Sequence, residues 1–300
     1  MLYIHDNYNF DKLLVENEVK RLKKVISLLL CAGMVFALSG CRLTRVVDKL
    51  EEMTHDTVRV GGQTVVVDDS LEQSGFSAED FSTDPDTGRV TCLSRPALTG
   101  IDVSSHQGDI DWAAVAGDGI DFAMLRVGSR GYSQGSLNAD KLFEQNYTGA
   151  VENGLQVGAY FFSQAVSVEE AEEEAQFVLD TLAGRAMDLP VVFDWEQITE
   201  DDARTDAVDT DTVTACALAF CQRIQEGGYR SAFYFNATLG YLQYDFARLS
   251  QLDAWYAQYE GDWPTFTYAF DLWQYSNTGT VAGIAGNVDM DLYFLPETEN

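Results

Sequence analysis

From Thr99 onward the chain repeats one texture, a short apolar run followed by a polar or helix-patterned stretch. That alternation restricts the available folds more than any other feature. The runs fall at 100–103, 122–127, 157–162, 190–193, 231–235, 254–257, 270–273 and 288–290, with helix-like stretches at 142–153, 168–182 and 212–225. Between 169 and 183, Ala171, Ala175, Val178, Leu179 and Leu182 recur at helical spacing while acids occupy the opposite face. Strand candidates alternating with helices predict an α/β fold, a single TIM-like β/α barrel over 99–300. The last three runs are too close together for full helices between them, so that side of the barrel is expected to be irregular. A doubly wound sheet is the alternative, but no G-x-G-x-x-G turn opens a helix after the first strand.

Charge narrows the partners. The chain has 19 Lys and Arg against 48 Asp and Glu, a formal net charge of −29. Nucleic acid is excluded, because its recognition needs a basic face to displace counterions. Docking on anionic lipid through a polybasic patch is excluded for the same reason. Cys92, Cys216 and Cys221 are the only cysteines beyond residue 41, with no C-x-x-C between them. They form neither a disulfide framework nor a zinc site and read as small apolar residues. No cofactor and no metal is expected.

The first forty residues read as an address. Lys20-Arg21 and Lys23-Lys24 precede an uncharged apolar run from Val25 to Ala37. That run is shorter than the roughly 20 residues a membrane-spanning helix requires, and fits a secretory signal. It ends in Leu38-Ser39-Gly40-Cys41, which resembles a bacterial lipobox, so Cys41 is the expected lipidation site. Residues 1–18 carry Asp6, Asp11, Glu16 and Glu18 and are read as an extension upstream of the natural start. The expected organisation is a leader over 1–40, a stem over 41–98 and the barrel over 99–300. Within the stem, Gly61-Gly62 between two valine-rich runs predicts a small hairpin. The rest is expected to act as a spacer.

Barrel enzymes carry their chemistry at strand ends, and the acids fall there. Asp102 is near the end of the first run, Asp194 and Glu196 end the fourth, and Asp289 is placed at the end of the last. Residues i and i+2 of a strand share a face about 6.5–7 Å apart, a range that suits paired carboxylates in glycoside cleavage. Asp291 reads as no more than a turn or cap. Tyr160, Tyr234, Trp255, Trp273 and Gln274 lie on other runs and offer rings and an amide to a sugar. His106, alone in the domain, reads as structural.

These blocks resemble glycoside hydrolase family 25, the Chalaropsis-type lysozymes. The resemblance rests on Gly100-Ile101-Asp102-Val103-Ser104-Ser105-His106-Gln107-Gly108, Phe122–Gly128, Gly158–Ser163, Asp194-Trp195-Glu196, Trp273-Gln274-Tyr275-Ser276 and Gly283–Asp289. It implies an irregular β/α barrel that cuts the β-1,4 bond between N-acetylmuramic acid and N-acetylglucosamine in peptidoglycan. It further implies Glu196 as general acid/base and Asp194 as nucleophile or as orienter of the substrate acetamido group. Asp102 and Asp289 would tune these charges and hold substrate, while Tyr160, Tyr234, Trp273 and Gln274 would line the cleft. Two departures, Phe161 in place of a common His and Asn236 in place of Thr or Ser, are expected to bear on substrate preference. The implied partners are peptidoglycan glycan strands and, through the lipid anchor, the outer face of the cytoplasmic membrane, with the protein a monomer. The competing readings are an inactive peptidoglycan-binding barrel, a metal-dependent barrel phosphodiesterase and a structural envelope lipoprotein.

Overall fold

The structure is a computed structural model that describes residues 56–198 and 203–296. The leader, Cys41 and the first part of the stem lie outside the described residues. The chain divides into two compact units, the second beginning at Leu71. In the first, β1 (Thr57–Val60) and β2 (Gln63–Val66) form the expected antiparallel hairpin. Gly61 and Gly62 turn it with φ of 56° and 78°, the left-handed pair that a two-residue hairpin loop of this hand requires.

The second unit is a closed barrel of eight strands. They are β5 (Ala97–Val103), β6 (Phe122–Arg130), β8 (Gln156–Ser163), β9 (Val191–Trp195), β10 (Ser231–Asn236), β11 (Asp253–Ala257), β12 (Leu272–Gly279) and β13 (Val288–Phe294). Every one overlaps a run read from the sequence, β12 only at Leu272 and Trp273. A short β7 (Leu137–Ala139) adds antiparallel to the outer part of β6. Apart from β7, the strands from β5 to β12 run parallel, and β13 lies antiparallel to both β12 and β5, where the barrel closes.

The helices are α1 (Trp112–Gly117), α2 (Phe143–Glu152), α3 (Val168–Leu182), α4 (Thr210–Glu226) and α5 (Phe246–Leu249). Local chemistry sets their ends. The Ser167 hydroxyl accepts from Glu170 N at 3.4 Å to start α3, and Asp209 accepts from Thr212 N at 2.9 Å to start α4. Cys216 and Cys221 are free thiols buried on α4, as their spacing suggested.

No helix separates β11 from β12 or β12 from β13. That flank is closed by residues the sequence reading assigned to a spacer. From Leu71 onward this segment is packed, with a hairpin of β3 (Phe81–Thr83) and β4 (Val90–Cys92). The Phe76 ring lies 4.7 Å from that of Phe294 and 5.6 Å from that of Phe270, and Phe81 meets Trp273 edge-on at 5.2 Å. The barrel therefore extends upstream of residue 98. The cause is a few well-placed aromatics, which mean polarity over the segment conceals.

Strand parity partitions the core. Phe122, Met124, Tyr160, Val192, Ala232, Tyr234, Trp255, Ala257, Leu272 and Tyr293 point inward and form one buried cluster. Their neighbours Phe161, Phe193, Phe233 and Phe235 fall on the opposite parity and are fully buried on the outer layer. Inward Gly100 makes room for one large ring, since a Cβ there would lie 2.2 Å from Phe122 Cζ. Gly100→Ala is expected to destabilise the barrel by about 1–3 kcal/mol through overpacking. Urea unfolding of the variant measures this, and an unchanged midpoint would show that the Phe122 ring relaxes freely.

Candidate active site

The inward parity that fills the barrel with apolar side chains continues to its mouth, where the same rows end in polar groups. On β9, inward Val192 is followed two residues on by Asp194 and two further by Glu196, which lies just past the strand. Trp195 between them faces outward and anchors the segment, its indole N–H donating to Ala165 O at 3.0 Å. The Gln164 amide donates to Glu196 O at 2.6 Å and fixes the backbone of that residue as the strand ends.

Asp102 ends the inward row of β5. Asp289 sits directly across from it, but at the start of β13 and not at a strand end as the sequence reading had it. Reversal of β13 explains both the error and the convergence, because the first turn of an antiparallel strand lies where its parallel neighbours finish. All four acids line one cleft of about 240 Å³, together with Tyr160, Tyr234, Trp255 and Gln274. Gln274 organises one wall. Its amide donates to Asp102 Oδ2 at 2.6 Å, while Tyr234 and Tyr259 each donate to its Oε1 at 2.8 Å.

Trp273 does not join them. It has the outward parity of β12, its N–H donates to Gln258 O at 3.1 Å, and its ring packs on Phe81 and Tyr275. The two departures also lie off the cleft. Phe161 packs outward on Phe177, and Asn236 Oδ1 accepts from Leu239 N at 3.0 Å to cap the next helical turn. Inward Phe162 and Tyr259 reach the cleft in their place. The sequence reading gave no site role to Arg126, Ser104 or Gln107, and took His106 as structural; all four line the mouth. For Arg126 the clue was available, since it shares the parity of Phe122 and Met124.

Arg126 is the only Lys or Arg lining the cleft among the described residues. Its Nε donates to Asp140 Oδ2 at 2.9 Å, and Asp140 also accepts from Ser105 N and Leu142 N. Burial alone would push Asp140 up, yet these backbone donors and the guanidinium hold it below the usual carboxylate range. It is therefore a fixed anion that orients Arg126.

The cleft acids behave oppositely. Burial, then the Glu196 charge, pushes Asp194 well above its ordinary value against the pull of Arg126. Burial, then the charges of Asp291 and Asp289, does the same to Asp102, partly relieved by Gln274. Glu196 is raised by burial and then by Asp289, and Asp289 itself is pushed up to about 6 by burial. One oxygen of Asp194, Oδ1, is buried with no protein partner. The mouth thus holds a carboxyl able to keep a proton near neutrality beside another with a free acceptor, an arrangement suited to acid-assisted bond cleavage.

The sequence profile of glycosyl hydrolases family 25 matches residues 101–284. Among curated relatives, the autolytic lysozyme of Clostridium acetobutylicum is 25% identical over 65% of this chain and 55% of its own length. Lysozyme M1 of Streptomyces globisporus is 27% identical over 70% of this chain and 72% of its own. The chain therefore spans little more than half of the first relative and nearly three quarters of the second. A bacterial lysozyme of Streptomyces coelicolor superposes with a TM-score of 0.56 at 26% identity, over 65% of this chain and 91% of that structure.

Asp289 raises Glu196 by like charge, so Asp289→Asn should lower the Glu196 pKa. The form that donates a proton is then lost at lower pH. The titration of the Glu196 carboxyl, followed by carbon-13 NMR, is expected to move toward acid, and a titration that stays in place or moves toward base would contradict the electrostatic account.

Proposed function

The chain belongs to glycosyl hydrolase family 25, and from that premise we propose that it hydrolyses the β-1,4 bond between N-acetylmuramic acid and N-acetylglucosamine in peptidoglycan. The observation that carries this reading is the Asp194–Trp195–Glu196 strand end, which turns two carboxyls into one cleft beside Asp102 and Asp289. Relatives named as lysozymes support the same substrate.

In the proposed reaction Glu196 donates its proton to the glycosidic oxygen. The bond from that oxygen to the anomeric carbon breaks with its electron pair leaving on oxygen. The developing cationic sugar is met in one of two ways. Either Asp194 attacks the anomeric carbon, or the substrate's own acetamido oxygen does so while Asp194 accepts from the acetamido N–H. Its unpartnered Oδ1 is suited to both. Water then attacks the same carbon, the bond to Asp194 or to the acetamido oxygen breaks with its electron pair returning to that oxygen, and the Glu196 carboxylate takes up the proton that water loses. Asp289 holds the local potential that keeps Glu196 protonated until substrate arrives, with Asp102 beside it in the cleft. Tyr160, Tyr234 and Trp255 offer apolar ring surface to the sugar, and Gln274 lies among them as a polar partner. Trp273, turned outward, has no part in this.

The reading extends to location. The basic residues before the apolar run and the Leu38-Ser39-Gly40-Cys41 block support export and lipid attachment at Cys41, which would hold a monomer against the wall from the outer face of the cytoplasmic membrane. Cys41→Ser is expected to move the protein from the membrane fraction to the medium; retention with the membrane would refute an anchor at that residue.

The enzymatic reading is tested by digesting purified peptidoglycan. Products are expected to carry N-acetylmuramic acid at the new reducing end, and Glu196→Gln should lower kcat by at least about 10²-fold, the usual contribution of a general acid. Intact glycan after prolonged digestion would instead mark an inactive binding barrel, and full activity in the variant would remove Glu196 from the mechanism. Glycan lacking the N-acetyl group on muramic acid separates the two routes, since only direct attack by Asp194 cleaves it.

A further inference from the structure

The proposed reaction assigns no role to Asp291, yet this acid is fully enclosed in the barrel, with 0% of its surface exposed. It lies on the inward row of β13, between Asp289 toward the mouth and Tyr293 toward the opposite pole, directly across from Gly100. Its Oδ1 accepts the indole N–H of Trp255 at 2.9 Å. Its Oδ2 is buried with no amide, indole or hydroxyl donor. A buried carboxylate oxygen without a donor forfeits its hydration with nothing in return, so a partner is called for. Across the β13–β5 register Asp291 faces Gly100 and Asp289 faces Asp102, so the carboxyl diagonal to Asp291 on the same inward face is that of Asp102. Two carboxylates repel; two carboxyls that share one proton attract.

We propose that Asp291 is a positioning residue for Asp102, the two carboxyls holding a single proton between them and thereby locking Asp102 beneath the cleft. The orphaned oxygen of Asp291 then has its donor. Asp102 is held from both sides, by the Gln274 amide on Oδ2 and by Asp291 through the shared proton. The pair carries one negative charge in place of two, which limits the repulsion that Asp289, Asp194 and Glu196 would otherwise meet. The proton belongs to the pair and not to either residue. Its retention agrees with burial, followed by repulsion from neighbouring acids, holding both groups well above the ordinary carboxylate range.

Facing the pair are Asp289 on β13, Arg126 on β6, Tyr160 on β8, Asp194 on β9, Tyr234 on β10, Trp255 on β11 and Gln274 on β12, with Tyr275 on the outer side of β12. Among the described residues His106, Glu196 and Tyr259 also line the cleft with Asp102. Arg126 is committed to Asp140. Among the described residues no Lys, Arg or His forms an ion pair with either carboxyl, so a proton is the counter-charge at hand.

This inference deepens the proposed hydrolytic site and rests on it for its catalytic consequence, but the proton itself is countable without turnover. Infrared spectra of the full-length protein at neutral pH, in water and heavy water, report protonated carboxyl groups. Asp291→Asn is expected to remove one such group relative to the unaltered protein, because the Asn amide replaces the shared proton as donor to Asp102. An undiminished carboxylic-acid band in that variant overturns the proposal. In kinetics, Asp291→Ala is expected to lower kcat by roughly tenfold with little change in KM, as loss of a hydrogen bond that orients a cleft group should. Asp291→Asn should restore kcat to within a few-fold and carry an altered pH profile, since a titrating pair has become a single acid. An alanine variant as active as the parent, or an asparagine variant with an unchanged profile, also overturns it. If the alanine variant does not fold, the infrared count on the asparagine variant decides. If the parent leaves peptidoglycan intact, the hydrolytic reading fails while the proton count still stands or falls by itself.

Discussion

Moving a carboxylate out of water forfeits solvation worth several kcal/mol, and this barrel does so to Asp102, Asp194 and Asp291 inside a single interior. Apolar side chains close the space beneath them, so the repulsion between these acids is weakly screened and each neighbour raises the others. The rest of the site is arranged around that repulsion. Gln274, braced by two tyrosines, spends its amide on Asp102, and the Trp255 indole spends its N–H on Asp291. The one guanidinium at the mouth is tied back by Asp140, which moderates Asp194 without neutralising it. A freer Arg126 would pair outright with a cleft acid and remove its ability to hold a proton.

The same accounting affects stability. A carboxyl whose folded pKa lies above its unfolded value favours the folded state at low pH, and that contribution is lost as pH rises through the folded pKa. Asp289 and Asp271 at about 6, and Glu174 at about 7 despite its contact with Arg130, place this loss between mildly acid and neutral pH. Asp140 and Glu170, held low, act in the opposite sense at more acid pH. The enclosure that favours acid chemistry thus draws on the stability of the barrel, as is common where strained electrostatics serve a site.

Much of this was legible in the sequence, because strand parity is written in period two. All eight barrel strands were visible as apolar runs, and the inward rows predicted which acids would meet. Parity also held what the sequence reading left unused. Counting by twos from Val192 puts Asp194 in the cleft, and the same count along β12 turns Trp273 out and Gln274 in. Arg126 follows from Phe122 in the same way. Direction is another matter. Nothing in Val288–Phe294 marks the strand as reversed, since antiparallel pairing depends on how the preceding loop returns. With its direction unknown, Asp291 looked like a turn residue when it is enclosed on the inward row below Asp289. The collar of Phe76 and Phe81 was missed because two rings in an otherwise polar stretch carry little weight in a composition average and a great deal in a contact.

The reversal of β13 has an architectural consequence. Phe294 pairs with Ala97, and Leu295 N donates to Pro96 O at 3.0 Å, so the first and last barrel strands start and finish side by side at the pole away from the acidic cleft. Neighbouring termini of this kind favour circular permutation and terminal fusion. A reporter module appended after Leu295 would emerge from the base, leaving the acidic cleft unobstructed.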